Sequence, residues 1–129
     1  LGVGCRRGIG QQAMEEAFAA LLAQSGLCAE AFYKVCSIDL KRDEPGLRAF
    51  CAAHGFAFET FSAAQLAAVA GRFSSSGFVQ SVTGVDNVCE RSAVLGSGGP
   101  LYCKKQAGGG VTMAAAMAPF APDWRWQDE

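Results

Sequence analysis

Six of the 11 basic residues stand in three doublets, Arg6-Arg7, Lys41-Arg42 and Lys104-Lys105, each beside a stretch that reads as the end of a β-strand. In an open α/β sheet the carboxyl ends of parallel strands share one edge, and ligands sit there. Cations gathered on that edge would focus a polyanion even in a chain whose net charge is only -1. Neighbouring strand residues face opposite ways, so one member of each doublet is expected to reach such a ligand. The competing reading is plain solvated surface, the usual fate of lysine and arginine.

The first doublet lies inside a glycine turn, Gly2-Val3-Gly4-Cys5-Arg6-Arg7-Gly8, that opens a helix. Its G-x-G-x-x-x-G spacing is looser than the dinucleotide fingerprint, and no acidic residue near position 22 offers itself to a ribose. No G-K-[ST] follows, which excludes a P-loop. Gly4, Cys5, Arg6, Arg7 and Gly8 therefore form a candidate anion site at a helix N-terminus, with a packing turn as the alternative.

The run Ser37-Ile38-Asp39-Leu40-Lys41-Arg42-Asp43-Glu44 packs three carboxylates and two cations into a strand-to-helix loop. Asp43 reads as the helix N-cap ahead of Pro45. Asp39 has no capping task and is the carboxylate nominated for binding or proton transfer, against a local salt bridge to Lys41 or Arg42. Ser37 and Lys41 join the candidate binding set. In Ser81-Val82-Thr83-Gly84-Val85, Thr83 and Gly84 offer a hydroxyl and backbone N–H groups to an anion, or else cap the next helix. Glu90 sits in the first turns of that helix and is the second candidate acid or base, or a carboxylate suited to the helix dipole. Lys104, Lys105 and Gln106 complete the binding set.

Other chemistries find little support. The one histidine, His54, ends a helix with no marked Ser, Cys or Asp partner, which argues against a nucleophilic triad. Six cysteines include no C-x-x-C pair, and one histidine is too few for a structural zinc, so neither metal nor cofactor is expected. Cys36, Cys51 and Cys103 read as small buried hydrophobes, while Cys5 and Cys89 are placed where either could be exposed. Without a basic excess no nucleic-acid partner is expected. With no apolar run of about 20 residues and no leader, the expected setting is the cytoplasm, away from any membrane.

The elements that must position these residues follow from periodicity. With 129 residues, half of them hydrophobic, the chain suits one domain. Leu1–Gly4 ends a first strand. Met14, Ala17, Phe18, Leu21 and Leu22 mark a helix over Gln11–Ser25, stopped by Gly26. A turn near Glu30–Tyr33 leads to a strand over Val35–Leu40, and a second helix runs from Pro45 to Gly55. Phe56–Phe61 alternates as a strand, and Ser62 with Gln65 forms a capping box for a third helix to about Val69. Ala70–Gly77 reads as a mobile loop carrying Phe73, with Phe78 just beyond. Asp86 caps a fourth helix, and strands Leu101–Lys105 and Val111–Met117 flank a glycine-rich connection, Gln106–Gly110. The expected fold is a three-layer α/β/α domain over residues 1–117, its mixed, mostly parallel sheet ending in a C-terminal β-hairpin. Residues 118–129, with Trp124 and Trp126, read as an appended tail.

Four ordered stretches resemble the family of the cobalamin-biosynthesis protein CobE and the C-terminal domain of CbiG, a cobalt-precorrin-5A hydrolase. They are Gly2–Gly8, then Ser37–Lys41 with Asp43–Leu47, then Phe61-Ser62 with Gln65-Leu66. The fourth runs from Val82–Val85 and Val88–Glu90 to Lys105-Gln106 and Val111–Ala114. The family pattern carries a second lysine just after Lys105-Gln106, where this chain has Ala107. The resemblance implies an α/β domain acting on corrin-ring precursors, which are flat rings edged with carboxylates and so fit the basic doublets. It implies a ligand of the precorrin or hydrogenobyrinic-acid type, a monomer or homodimer, and other corrin-pathway enzymes as partners. Two roles remain open: a binding protein that grips or carries an intermediate, and a hydrolase opening a precorrin lactone with Asp39 or Glu90 orienting water. Apart from the resemblance, the alternative is a small nucleotide- or phosphate-binding module.

Overall fold

The computed structural model describes residues 1–69 and 87–118. Within them β1 (Gly2–Cys5), α1 (Gln11–Ser25), β2 (Lys34–Ile38), α2 (Pro45–His54), β3 (Ala57–Phe61), α3 (Ala63–Ala67), α4 (Val88–Ser97), β4 (Leu101–Gly108) and β5 (Val111–Ala116) follow in order. The sheet order is β3-β2-β1-β5-β4. β1 pairs parallel with β2 and β2 with β3, whereas β5 runs antiparallel to both β1 and β4. Two successive reversals restore the direction, so β4 points the same way as β1. The sheet is mixed and ends in the expected hairpin, and every strand but β5 has its carboxyl end on one edge.

Helices cover both faces. Val3, Val111, Met113 and Ala115 face α1 and α2, meeting Met14, Phe18, Leu21, Leu47 and Phe50 in the larger core. Cys36, Ile38, Phe61, Leu66 and Val88 fill the opposite face under α3 and α4. Period-2 alternation along β1 accounts for both: Val3 enters the first core, while Gly2 and Gly4 turn toward α4. Gly2 is there for proximity, since a Cβ at that position would collide with the Cys89 carbonyl of α4. α4 is thereby seated directly on β1, with its N-terminus at the carboxyl edge of the strands.

Several boundaries differ from the sequence expectation, each for a local reason. β2 stops at Ile38, and residues 39–41 form a single 3-10 turn. The N-cap of α2 is Glu44 and not Asp43, because the residue before a first-turn proline is the one forced into extended backbone. Asp43 stands exposed, 3.9 Å from Arg48. The cap of α4 is Asn87, whose side-chain oxygen accepts from the Glu90 N–H at 3.2 Å. Its φ of 51° is one that Asn tolerates better than most residues. β4 continues through Gln106 to Gly108, leaving a tight turn of Gly109 and Gly110 at φ 62° and 82°. Two adjacent positive φ values are what a two-residue hairpin turn demands. The loop expected over Ala70–Gly77, Phe78, the Asp86 cap and the tail from residue 119 onward lie outside the described residues.

Candidate functional site

At the carboxyl edge, β1 feeds a loop bearing Arg6, Arg7 and Gly8, all exposed. Two bonds fix this loop. The Arg6 N–H donates to the Gly110 carbonyl at 2.9 Å, tying it to the hairpin turn. The Gly8 N–H donates to the Glu44 carboxylate at 3.1 Å, tying it to the start of α2. Beside it, the β1–β2 ladder registers one pair, Gly2 with Cys36. Above that pair the buried Ser37 hydroxyl donates to the Val3 carbonyl at 2.7 Å, taking the place of a ladder bond. Ser37 is thus engaged in holding the two strands rather than presented to a ligand.

Lys41 lies in the turn after β2 and is only 7% exposed. What the fold covers is its aliphatic stem: among the described residues no side-chain nitrogen or oxygen is both fully buried and without a hydrogen-bond partner, so the ammonium itself keeps access to solvent. Among the described residues it has no hydrogen-bond or ion-pair partner, although its charge reaches the Cys5 thiol. Leu40, its neighbour, is 62% exposed.

Of the other cations, Arg91 donates to the Leu66 and Val69 carbonyls at 3.3 and 3.5 Å. Lys34 pairs with Glu59, Arg42 with Asp39 at 3.1 Å, and Arg48 approaches Asp43. The side chains of Arg6, Arg7, Lys41, Lys104 and Lys105 form no ion pair among the described residues. Of the Lys41-Arg42 doublet, the arginine serves the local turn and the lysine is left over.

Asp39 lies at the same edge. The Thr60 hydroxyl first, and the Arg42 guanidinium after it, hold its carboxyl below the usual range, so at neutral pH it is an acceptor and not a proton donor. Glu90 is placed quite differently, 1% exposed beneath β4. Its Oε2 accepts the Lys105 N–H at 2.7 Å and its Oε1 the Asn87 side-chain amide at 2.6 Å. Lys104 and Lys105 stand inside β4, not at its end. Gly108 is the residue level with Cys5, two strands away, or about 10 Å. Gln106 faces Ala13, Ala17 and Ala20 of α1 across a groove of about 210 Å³.

The fold therefore puts Gly4, Cys5, Arg6, Arg7 and Gly8 at the end of β1 and Asp39 and Lys41 in the turn after the neighbouring β2, on one sheet edge, and sets Lys104, Lys105 and Gln106 apart on the far edge strand. Thr83 and Gly84 lie outside the described residues. Burial pushes the Cys5 thiol up to about 11 and the Cys89 thiol up to about 12, so neither is poised as a nucleophile at neutral pH. Cys89 is fully buried, contrary to the expectation of possible exposure, because it lies under β1 where Gly2 admits α4. Cys36 and Cys51 are buried as expected, and Cys103 is partly covered. Sequence reasoning missed Glu44 and Asn87. Glu44 carried a signal in hindsight, since its place before Pro45 made it the N-cap.

Among the described residues no helix is long and apolar enough to cross a membrane. No group of three or more His, Cys, Asp or Glu residues converges there as a metal centre.

Comparison with known proteins adds a family. Residues 1–116 match the family described as cobalamin synthesis G C-terminus. The chain is 31% identical over 121 residues to a cobalt-precorrin-5A hydrolase of Priestia megaterium, covering 93% of this chain and 32% of that protein. Against the Salmonella typhimurium protein of the same name it is 32% identical over 117 residues, covering 91% and 33%. The chain thus spans about a third of the length of the curated relatives it matches. Among solved structures, CobE from the cobalamin biosynthetic pathway superposes with a TM-score of 0.81 at 28% identity, covering 88% of this chain and 84% of that one. The cobalamin biosynthesis protein chiG of Agrobacterium tumefaciens gives 0.71 at 25% identity, covering 92% and 97%.

Proposed function

The chain belongs to the cobalamin synthesis G C-terminus family, and from that premise we propose that it binds polycarboxylated precorrin-type tetrapyrroles at the carboxyl edge of its sheet. The observation that carries this reading is Lys41, a cation that is 7% exposed and without a partner among the described residues. Its buried stem holds the ammonium at that edge, and a ligand carboxylate would supply the missing partner. Arg6 and Arg7, also unpaired among the described residues, follow the neighbouring strand β1 at the same edge, and the exposed Leu40 offers apolar surface to the ring. Lys104 and Lys105, likewise without an ion pair among the described residues, stand farther off inside β4, where a ring broad enough to carry carboxylates on its rim would reach them as well. Such a protein would act in the cytoplasm, as a monomer or homodimer, delivering an intermediate to other corrin-pathway enzymes.

A second reading is favoured by the relatives being named hydrolases. Asp39, kept as a carboxylate, would orient water toward a lactone carbonyl while an arginine steadies the developing oxyanion. If Asp39→Asn leaves both turnover and affinity intact, that assignment is wrong.

The test of the main reading is equilibrium titration with a metal-free corrin polycarboxylate of the hydrogenobyrinic-acid type, followed by absorbance in rising salt. An uncarboxylated macrocycle is the control. Binding that weakens with salt and falls in Arg6→Ala and Lys41→Met supports the reading. Affinity no greater than that for the control overturns it.

A further inference from the structure

The Lys104-Lys105 doublet lies in an irregular piece of β4. Cys103 is opposite Ala115 and Gln106 opposite Met113, so three steps along β4 match two along β5. This is a β-bulge with one extra residue. Cys103 packs against the core under α1, and Gln106 faces α1 across the groove. In a regular strand one residue separates two that share a face; here two do, and both are lysines. The two register positions on the α1 face are taken by Cys103 and Gln106, and the Lys105 charge is felt at Cys89 on α4.

A bulge leaves a strand N–H without its ladder partner, and at this one the Lys105 N–H is taken by Glu90. The acceptor is a buried carboxylate at 2.7 Å, itself held by the Asn87 side chain at 2.6 Å. Both Glu90 oxygens are thereby engaged, an arrangement suited to holding backbone and not to passing a proton. We infer that Glu90 is a positioning residue: seated on the Lys105 N–H, it fixes the β4 bulge that presents Lys104 and Lys105 together on the α4 side, as a paired cation grip for ligand carboxylates. This rests on the polycarboxylate reading above and gives Glu90 a role in it other than acid or base.

Glu90→Met removes both acceptor oxygens at similar volume, and Glu90→Gln keeps one. Amide exchange at Lys105, measured without ligand, is expected to be fast in Glu90→Met, slow in the wild type and intermediate in Glu90→Gln. With the hydrogenobyrinic-acid-type probe, Glu90→Met is expected to weaken binding about tenfold, as much as Lys104→Ala with Lys105→Ala and with the same loss of salt dependence. Combining all three substitutions should cost nothing further. Should Glu90→Met not fold, Asn87→Gly keeps the left-handed backbone, removes the bond to Glu90 and should shift both readouts part of the way.

Three results would overturn the inference. One is a Lys105 amide as protected in Glu90→Met as in the wild type; another is a Glu90→Met loss that simply adds to the lysine loss. The third is wild-type affinity in the double lysine variant while Lys41→Met loses binding, which overturns the paired grip and leaves the polycarboxylate reading standing. If the wild-type chain does not bind the probe, that reading fails, and Lys105 amide exchange alone decides whether Glu90 holds the bulge.

Discussion

Gly8 donates its backbone N–H to the Glu44 carboxylate at 3.1 Å, so the loop that carries Arg6 and Arg7 is moored to the first turn of α2. Local sequence alone would have Glu44 serve its own helix. Instead it reaches back 36 residues and gives an exposed arginine loop a fixed frame.

Glu44→Ala is expected to release that loop. A hydrogen bond to a charged acceptor contributes about 1.5 to 3 kcal/mol when well ordered and less at an exposed site. Hydrogen exchange at the Gly8 amide should therefore speed up several-fold while the α1 and α2 amides keep their protection. Unchanged exchange at Gly8 would mean the bond does not hold the loop in solution.

A second clasp joins the two helices on that face. His54 Nε2 lies 2.7 Å from Glu15 Oε1, and the imidazole stacks on Phe56 with centroids 5.1 Å apart. The ring also meets Phe18 and Phe50, so His54 closes an aromatic cluster at the far end of α2. His54→Ala is expected to cost about 1 to 2 kcal/mol, from one lost hydrogen bond and lost ring contacts. Urea denaturation measures it, and a change near zero would contradict the clasp.

The buried thiols set a limit on alkaline stability. Burial pushes Cys5 and Cys51 up to about 11 and Cys89 up to about 12, against about 8.5 in an unfolded chain. A thiol whose folded value is raised stabilises the neutral fold. That contribution is flat below the unfolded value and declines as pH rises from there through the folded values. The denaturation midpoint should hold from pH 7 to about 8.5 and then fall toward pH 11. At pH 8 iodoacetamide should modify the exposed Cys28 and spare Cys89.

Much of the scaffold was legible because its signals are local. Met14, Phe18 and Leu21 spell out one helix face, and all three are buried. Ser62 and Gln65 form the expected capping box, with bonds of 3.1 and 2.8 Å in the two directions. The strand-end logic also put Arg6, Arg7 and Lys41 on one edge correctly. The features that escaped depend on distant partners. Nothing around Lys41 in sequence, where charges surround it, announces that it is buried. The β4 bulge owes its shape to Glu90, 15 residues away, so Lys104-Lys105 looked like a strand end. The run Gly108-Gly109-Gly110 offers three equivalent turn positions, and only pairing with β5 selects the last two.

If a ligand carboxylate partners Lys41, the substitution that removes that contact alone is Lys41→Met. Replacing an unpaired lysine whose stem is buried by an apolar side chain of similar shape should leave the fold as stable or more so, while the lost charge-assisted contact should weaken binding about tenfold or more. The decisive measurement is the affinity of Lys41→Met for the corrin polycarboxylate relative to wild type, taken with the thermal midpoint of each. Weaker binding with an unchanged or raised midpoint is the expected result. Wild-type affinity in Lys41→Met would contradict it and leave the burial of Lys41 a matter of packing alone.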